Sequence, residues 1–223
     1  MTDTKKLKAF VFDAYGTVFD VHSVVSLAEK FFPGKGVLLS QTWRAKQIEY
    51  MYLRTLMGRY IPHDQNTEAA LVYACKFLDL DCDTDRRAEL MDQYLKLKPF
   101  PDAPGALEAL SGYRRAILSV GTKPMIEAIV ANAELSSQFD ALLSVDTVKA
   151  YKPHPSVYQL VLDEMSLAKD EVGFVTSNFF DVAGAKSFGF KVYWINRGNQ
   201  VPDELGFMPD HILSNLGELT RFI

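Results

Sequence analysis

Cysteine and histidine are scarce in this chain, and long apolar or basic runs are missing altogether. Its 223 residues hold 2 cysteines and 4 histidines. Cys75 and Cys82 are seven positions apart; carried on one helix they would be separated by about 10 Å, beyond the reach of a disulfide. His22, His63, His154 and His211 are scattered, and no CxxC or HExxH spacing occurs, so no zinc site is expected. No stretch approaches about 18 consecutive apolar residues, so no membrane-spanning helix is expected. The net charge is -4 without a basic cluster, which argues against nucleic-acid binding. The first residues lead into only a short apolar run, unlike a secretion leader, and a cytoplasmic protein is expected.

What the chain does have is an apolar share of 48%, enough for one large domain or for a core with a smaller insert. Ala9-Phe10-Val11-Phe12 reads as a fully buried strand. From about 20 to 98 the spacing turns helical: Tyr50, Leu53, Leu56 and Met57, then Ala70, Tyr73, Ala74, Phe77 and Leu78, recur at three and four. Lys98-Pro99-Phe100-Pro101-Asp102-Ala103-Pro104-Gly105 follows as a rigid, helix-breaking hinge. Beyond it, short apolar runs at 115–118, 141–145, 172–175, 191–195 and 211–213 alternate with helical stretches near 123–134, 155–167, 179–188 and 215–222. This alternation predicts an α/β fold, a Rossmann-like parallel sheet with helices on both faces. The expected division is a catalytic core at 1–19 and 99–223 with a helical cap at 20–98, inserted after the first strand and covering the strand ends.

Polar residues gather at four of the predicted strand ends. Asp13 follows the first strand, and Gly16-Thr17 gives it a sharp turn and a hydroxyl that can aim it; this reads as a presented nucleophile, or more plainly as a helix cap. Ser119 opens Ser119-Val120-Gly121-Thr122-Lys123-Pro124 at a strand-to-helix turn, where an anion or an ordinary cap would fit. Lys152 precedes Pro153 in an extended loop, and Tyr158 follows near the start of a helix. Thr176, Ser177, Asn178 and Asp181 cluster after another strand. An Asp near a Lys stays ionised and can orient water. Each cluster has a bland explanation by itself. Together they mark the strand ends, where open α/β sheets bind ligands.

These motifs resemble those of the haloacid dehalogenase superfamily. More closely, Asp13-Ala14-Tyr15-Gly16-Thr17, Trp43-Arg44-Ala45-Lys46-Gln47, Tyr151-Lys152-Pro153 and the run from Ser177 to Ala185 resemble the type II L-2-haloacid dehalogenases. The resemblance implies a hydrolase that converts short (S)-2-haloacids into (R)-2-hydroxyacids, with no cofactor and no metal. Asp13 would attack C2 and form an ester, and Thr17 would hold it. Arg44, reaching in from the cap, would hold the departing halide beside Tyr15 and the aromatic wall of Phe180. Ser119 would bind the substrate carboxylate. Lys152 would offset the negative charge. Tyr158, Thr176, Asn178 and Asp181 would arrange Lys152 and the hydrolytic water. A homodimer is implied too, with apolar residues of the 40–60 helix as its interface.

Position 15 separates reaction classes. Phosphatases of the superfamily usually carry a second Asp there to protonate an alkoxide and to help hold magnesium. Tyr15 cannot serve as that acid, and a departing halide needs no proton. The pattern departs from the dehalogenases at Val120, where an Asn amide is usual; Val120 cannot donate a hydrogen bond, and Lys123 is a nearby source of compensating charge. Two other readings stay open: a phosphatase on a small phosphate ester, and a binding protein whose catalysis is impaired by Val120.

Overall fold

β1 (Ala9–Phe12) is apolar and buried at all four positions, as a strand needs to be when it has neighbours on both edges and layers on both faces. In the computed structural model, which describes residues 7–223, β1 pairs in parallel with β2 (Arg114–Ser119) on one side and with β4 (Val172–Thr176) on the other. Residues 1–6, where a leader was not expected, lie outside the described residues. β3 (Ala141–Ser144), β5 (Lys191–Ile195) and β6 (His211–Leu213) complete a six-stranded sheet of order β3-β2-β1-β4-β5-β6. Every pairing is parallel. The connections turn to opposite sides at β1, and this switch point opens a crevice at the strand ends.

Among the described residues no strand lies between 20 and 98. That block holds a short 3-10 turn and helices α1 (Val25–Phe31), α2 (Gly36–Leu56), α3 (His63–Phe77) and α4 (Thr84–Gln93). The chain enters and leaves it side by side. The Asp20 amide donates to the Lys98 carbonyl at 2.8 Å, and the Phe100 amide to the Val18 carbonyl at 2.9 Å.

The buried stripe of α2 is Leu39, Trp43, Gln47 and Met51, four residues apart and therefore on one face. It packs on His63, Asn66, Thr67, Ala70, Leu71 and Ala74 of α3. The stripe read from the sequence is a different one: Leu53, Leu56 and Met57 are exposed, at 44%, 83% and 61%. The two polar residues Gln47 and Thr67 take core positions because they bond to each other, Gln47 Nε2 donating to Thr67 Oγ1 at 2.7 Å.

Three further expectations need correction. The stretch 98–105 is only partly a breaker: α5 (Ala103–Ala109) starts inside it, with Pro104 in the first turn, where no backbone N–H is needed. The last helical stretch is a 3-10 helix, Leu216–Phe222. Cys82 lies past the end of α3, and the Leu80 amide bonds back to the Cys75 carbonyl at 2.9 Å. The chain thus folds the two free thiols into hydrogen-bonding contact, and the separation expected of a shared helix does not apply. The other helices expected beyond the hinge, α6 (Lys123–Asn132), α7 (Pro155–Met165) and α8 (Phe179–Phe188), are present.

Candidate active site

Asp13 leaves the end of β1 with 3% exposure. Gly16, at φ 92°, occupies the left-handed region that glycine adopts without strain, and this turn brings Thr17 back over the carboxylate. The Thr17 hydroxyl accepts from the Ser177 amide at 2.8 Å, so its proton is directed to Asp13 Oδ2, at 2.9 Å. Asn178 Nδ2 donates to the same oxygen at 2.8 Å. Lys152 Nζ donates to Asp13 Oδ1 at 2.9 Å and to Asp181 Oδ2 at 2.8 Å. The Tyr158 hydroxyl donates to Asp181 Oδ1 at 2.7 Å. Six side chains, from the turn after β1, the β3–α7 connection, α7, the β4–α8 turn and α8, are thus joined in one buried network.

Its charges are out of balance. Two carboxylates share one ammonium, and Lys152 and Asp181 are almost wholly shielded from solvent. Burial pushes Asp181 up to about 6, against the pull of Lys152, with Asp13 adding to the rise. Burial works to lower Lys152, but the two aspartates outweigh it and hold the ammonium above the usual lysine value. Burial also raises the Tyr158 phenol well above its usual value, so it remains a donor.

Other expected residues lie around this network. Ser119 is fully buried at the end of β2; its hydroxyl accepts from the Gly121 amide at 3.1 Å, which leaves its proton available to a ligand. Val120 is buried, at 4% exposure. Gly121 allows Tyr15 close: a Cβ there would meet the phenol oxygen at 2.9 Å. Arg44 reaches from α2 over the strand ends, with Nη2 at 3.4 Å from both the Tyr15 carbonyl and Asn178 Oδ1, and Nη1 on Gln47 Oε1 at 2.7 Å. Phe180 is half-buried and edge-on to Tyr52, centroids 5.5 Å apart. The Thr176 hydroxyl accepts from the Asn178 amide at 3.1 Å and so shapes the turn. Lys123 is exposed and lines a hollow with Asp146 and Glu164.

Two residues the sequence reading left out belong here. Gln47 steadies Arg44. His63, at the start of α3, is fully buried with its ring 5.7 Å from that of Tyr15. The available signal was a polar trio, His63, Asn66 and Thr67, at the three-and-four spacing of a stripe otherwise made of Ala70, Leu71 and Ala74.

A divalent ion does not fit. The oxygens that converge at the tip of β1 are Asp13 Oδ2 and the Tyr15 carbonyl, and Asn178 Nδ2 donates to both, at 2.8 and 3.0 Å. Lys152 bridges the two carboxylates. No group of three or more His, Cys, Asp or Glu suited to a metal occurs among the described residues.

A parallel sheet with an aspartate at the tip of a central strand, bridged by a buried lysine to a second aspartate, is the arrangement of an enzyme that uses a carboxylate as its covalent nucleophile. The model of the haloacid dehalogenase-like hydrolases matches residues 7–189, and the chain belongs to that family. It is 46% identical over 221 residues to haloacetate dehalogenase H-2 of Moraxella sp. (strain B), covering 98% of this chain and 99% of that one. It is 46% identical over 212 residues to the (S)-2-haloacid dehalogenase of Pseudomonas sp. (strain YL), covering 94% and 91%. The structure of L-2-haloacid dehalogenase from Xanthobacter autotrophicus with chloropropionic acid covalently bound superposes with a TM-score of 0.91 at 42% identity, over 96% of this chain and 97% of that one.

Proposed function

We propose that this protein hydrolyses short (S)-2-haloacids to (R)-2-hydroxyacids through an ester on Asp13. The observation that carries the reading is the set of three donors on Asp13. An ionised carboxylate offers about four lone-pair positions, so Asp13 is held rigidly with one left, on Oδ1. That oxygen attacks C2 from the side opposite the halogen, and the carbon–halogen bond breaks with its electron pair going to the halide. The stereocentre inverts once. Water then adds to the Asp13 carbonyl carbon, with Asp181 taking its proton through the Lys152 network. The bond from that carbon to Oδ1 breaks, the proton held by Asp181 passes to Oδ1, which leaves as the hydroxyl of the hydroxyacid, and the second water proton is released to solvent, so that Asp13 and Asp181 are both carboxylates again.

Ser119 and the adjacent turn hold the substrate carboxylate in this reading, and Arg44 the halide, with Tyr15, Val120 and Phe180 forming the surrounding wall. Thr17, Tyr158, Thr176 and Asn178 position the reacting groups. Residues 20–98 act as the cap and 1–19 with 99–223 as the catalytic core. The outward apolar residues Leu53 and Leu56 of α2, with Met57 just after it, support a homodimer. Two free thiols suit the reducing cytoplasm.

Halide release from chloro-, bromo- and fluoroacetate and from each 2-chloropropionate enantiomer tests the reading. Release from (S)-2-chloropropionate, undiminished after exhaustive chelation, is the expected result. Phosphate release from generic esters that depends on magnesium would instead establish the phosphatase reading. Asp181 adds a pH signature. Its carboxyl must be ionised to accept a proton, so turnover rises as pH increases through about 6, the value to which burial pushes it. Its stability contribution runs the other way: between about 4 and 6 the folded state binds that proton more tightly than the unfolded chain, so stability from this group falls as pH rises. A turnover profile flat from pH 5 to 8, with hydrolysis of the ester rate-limiting, would remove Asp181 from proton transfer.

A further inference from the structure

His63 has a chemistry that the network around Asp13 does not use. Its side chain is fully buried, yet neither ring nitrogen has a hydrogen-bond partner. The ring lies between two residues that flank the reacting groups. It is 5.7 Å from the ring of Tyr15, two positions after Asp13, and 5.8 Å from the ring of Tyr151, immediately before Lys152. The Tyr15 phenol oxygen is also buried without a partner. Leaving buried polar atoms unpaired costs about 1–3 kcal/mol each, so a helix face that keeps them where an aromatic hydrocarbon would pack calls for a ligand.

Displacement in line with Asp13 fixes where that ligand lies. Asp13 attacks from the sheet, so the halogen departs away from the sheet, toward the helices that carry Arg44 and His63. Arg44 is held there by Gln47, which in turn bonds Thr67, one turn along α3 from His63. Val120, on the sheet side, offers no donor. Resting on the dehalogenase reading above, we propose that His63 donates an N–H hydrogen bond to the halogen as it leaves, a halide contact additional to Arg44. Burial, aided by the Arg44 charge, lowers His63 to about 3. The ring is therefore neutral at working pH and presents one N–H donor and one acceptor. A neutral donor stabilises the developing anion without forming a permanent ion pair that would hold the product back.

The test compares H63F and H63Q with the parent in single-turnover halide release from chloro- and bromoacetate. Chloride, the poorer leaving group, depends more on donors, so H63F is expected to slow its release about 10- to 100-fold and bromide release less, with H63Q recovering part of the loss. H63F is also expected to melt at a higher temperature, since it removes unpaired buried polar atoms; a residue with a purely structural role would show the reverse. Equal slowing for both halides, or none, in folded protein would overturn the proposal. A second measurement does not require turnover. With ¹⁵N-histidine protein, the signal absent from H63F identifies His63, and sodium chloride is expected to shift it. An unmoved signal at saturating chloride would overturn the proposal even if the parent hydrolyses haloacids. A shifted signal in a protein that releases no halide from any haloacid would uphold His63 as an anion donor and discard the dehalogenase reading.

Discussion

D13N is expected to reduce halide release by at least about 10⁴-fold, the scale on which losing a covalent nucleophile is felt. The amide is close in shape to the carboxylate, and the circular dichroism of the variant is expected to match the parent. No neighbouring group can take over. Asp181 lies behind Lys152, with each of its oxygens already accepting a hydrogen bond. The decisive measurement uses the parent protein in excess over substrate in ¹⁸O-water. Because water attacks the carbonyl carbon of Asp13, the first hydroxyacid carries an oxygen from the protein and is unlabelled. The label is retained in the peptide containing Asp13. Label in the first product would mean that water displaces the halide directly, and Asp13 would then be a base.

K152M is expected to damage both chemistry and stability. The ammonium bonds Asp13 at 2.9 Å and Asp181 at 2.8 Å from a fully buried position. Methionine matches the length of the stem and leaves two carboxylates facing each other in a dry site. Breaking such a pair costs about 3–5 kcal/mol, and losing the charge that steadies the nucleophile costs about 10²- to 10³-fold in rate. The stability loss carries its own signature. Without the pull of Lys152 the Asp181 carboxyl binds its proton still more tightly in the folded state than in the unfolded chain, so the variant regains stability as pH falls from 7 to 5. Urea unfolding at both pH values reads this directly. A deficit that stays the same at pH 5 would mean that lost packing, and not unpaired charge, is responsible.

Much of this site is visible in the sequence because each part sits at a strand end. The runs before Asp13, Ser119 and Thr176 are short, apolar and β-like, and a parallel sheet gathers their C-terminal tips by construction. Lys152 was legible only as one member of that set, since a lysine before proline is ordinarily solvated. What the sequence hid was burial on helices. The stripe of Tyr50, Leu53, Leu56 and Met57 has helical spacing, yet α2 turns Leu39, Trp43, Gln47 and Met51 inward. Periodicity identifies a face but cannot say which of two faces meets a neighbour when polar residues find partners inside. His63 was hidden for the same reason: its spacing with Asn66 and Thr67 marks a helix face but not its burial, and its significance comes from Tyr15 and Tyr151, far away in the chain.

The paired crossings at 18–20 and 98–100 make the helical block an interchangeable part. It begins and ends within one hydrogen-bonded step, so the path of the chain inside the block does not set the pairing of β1 with β2 and β4. Any insert whose ends meet at that step satisfies the same junction. Asp13, Lys152 and Asp181 belong to the sheet side and keep their positions, whereas Arg44 and His63 travel with the insert. In evolutionary terms the reactive carboxylate and part of the grip on the leaving group are carried by different stretches of chain, and selection can act on each.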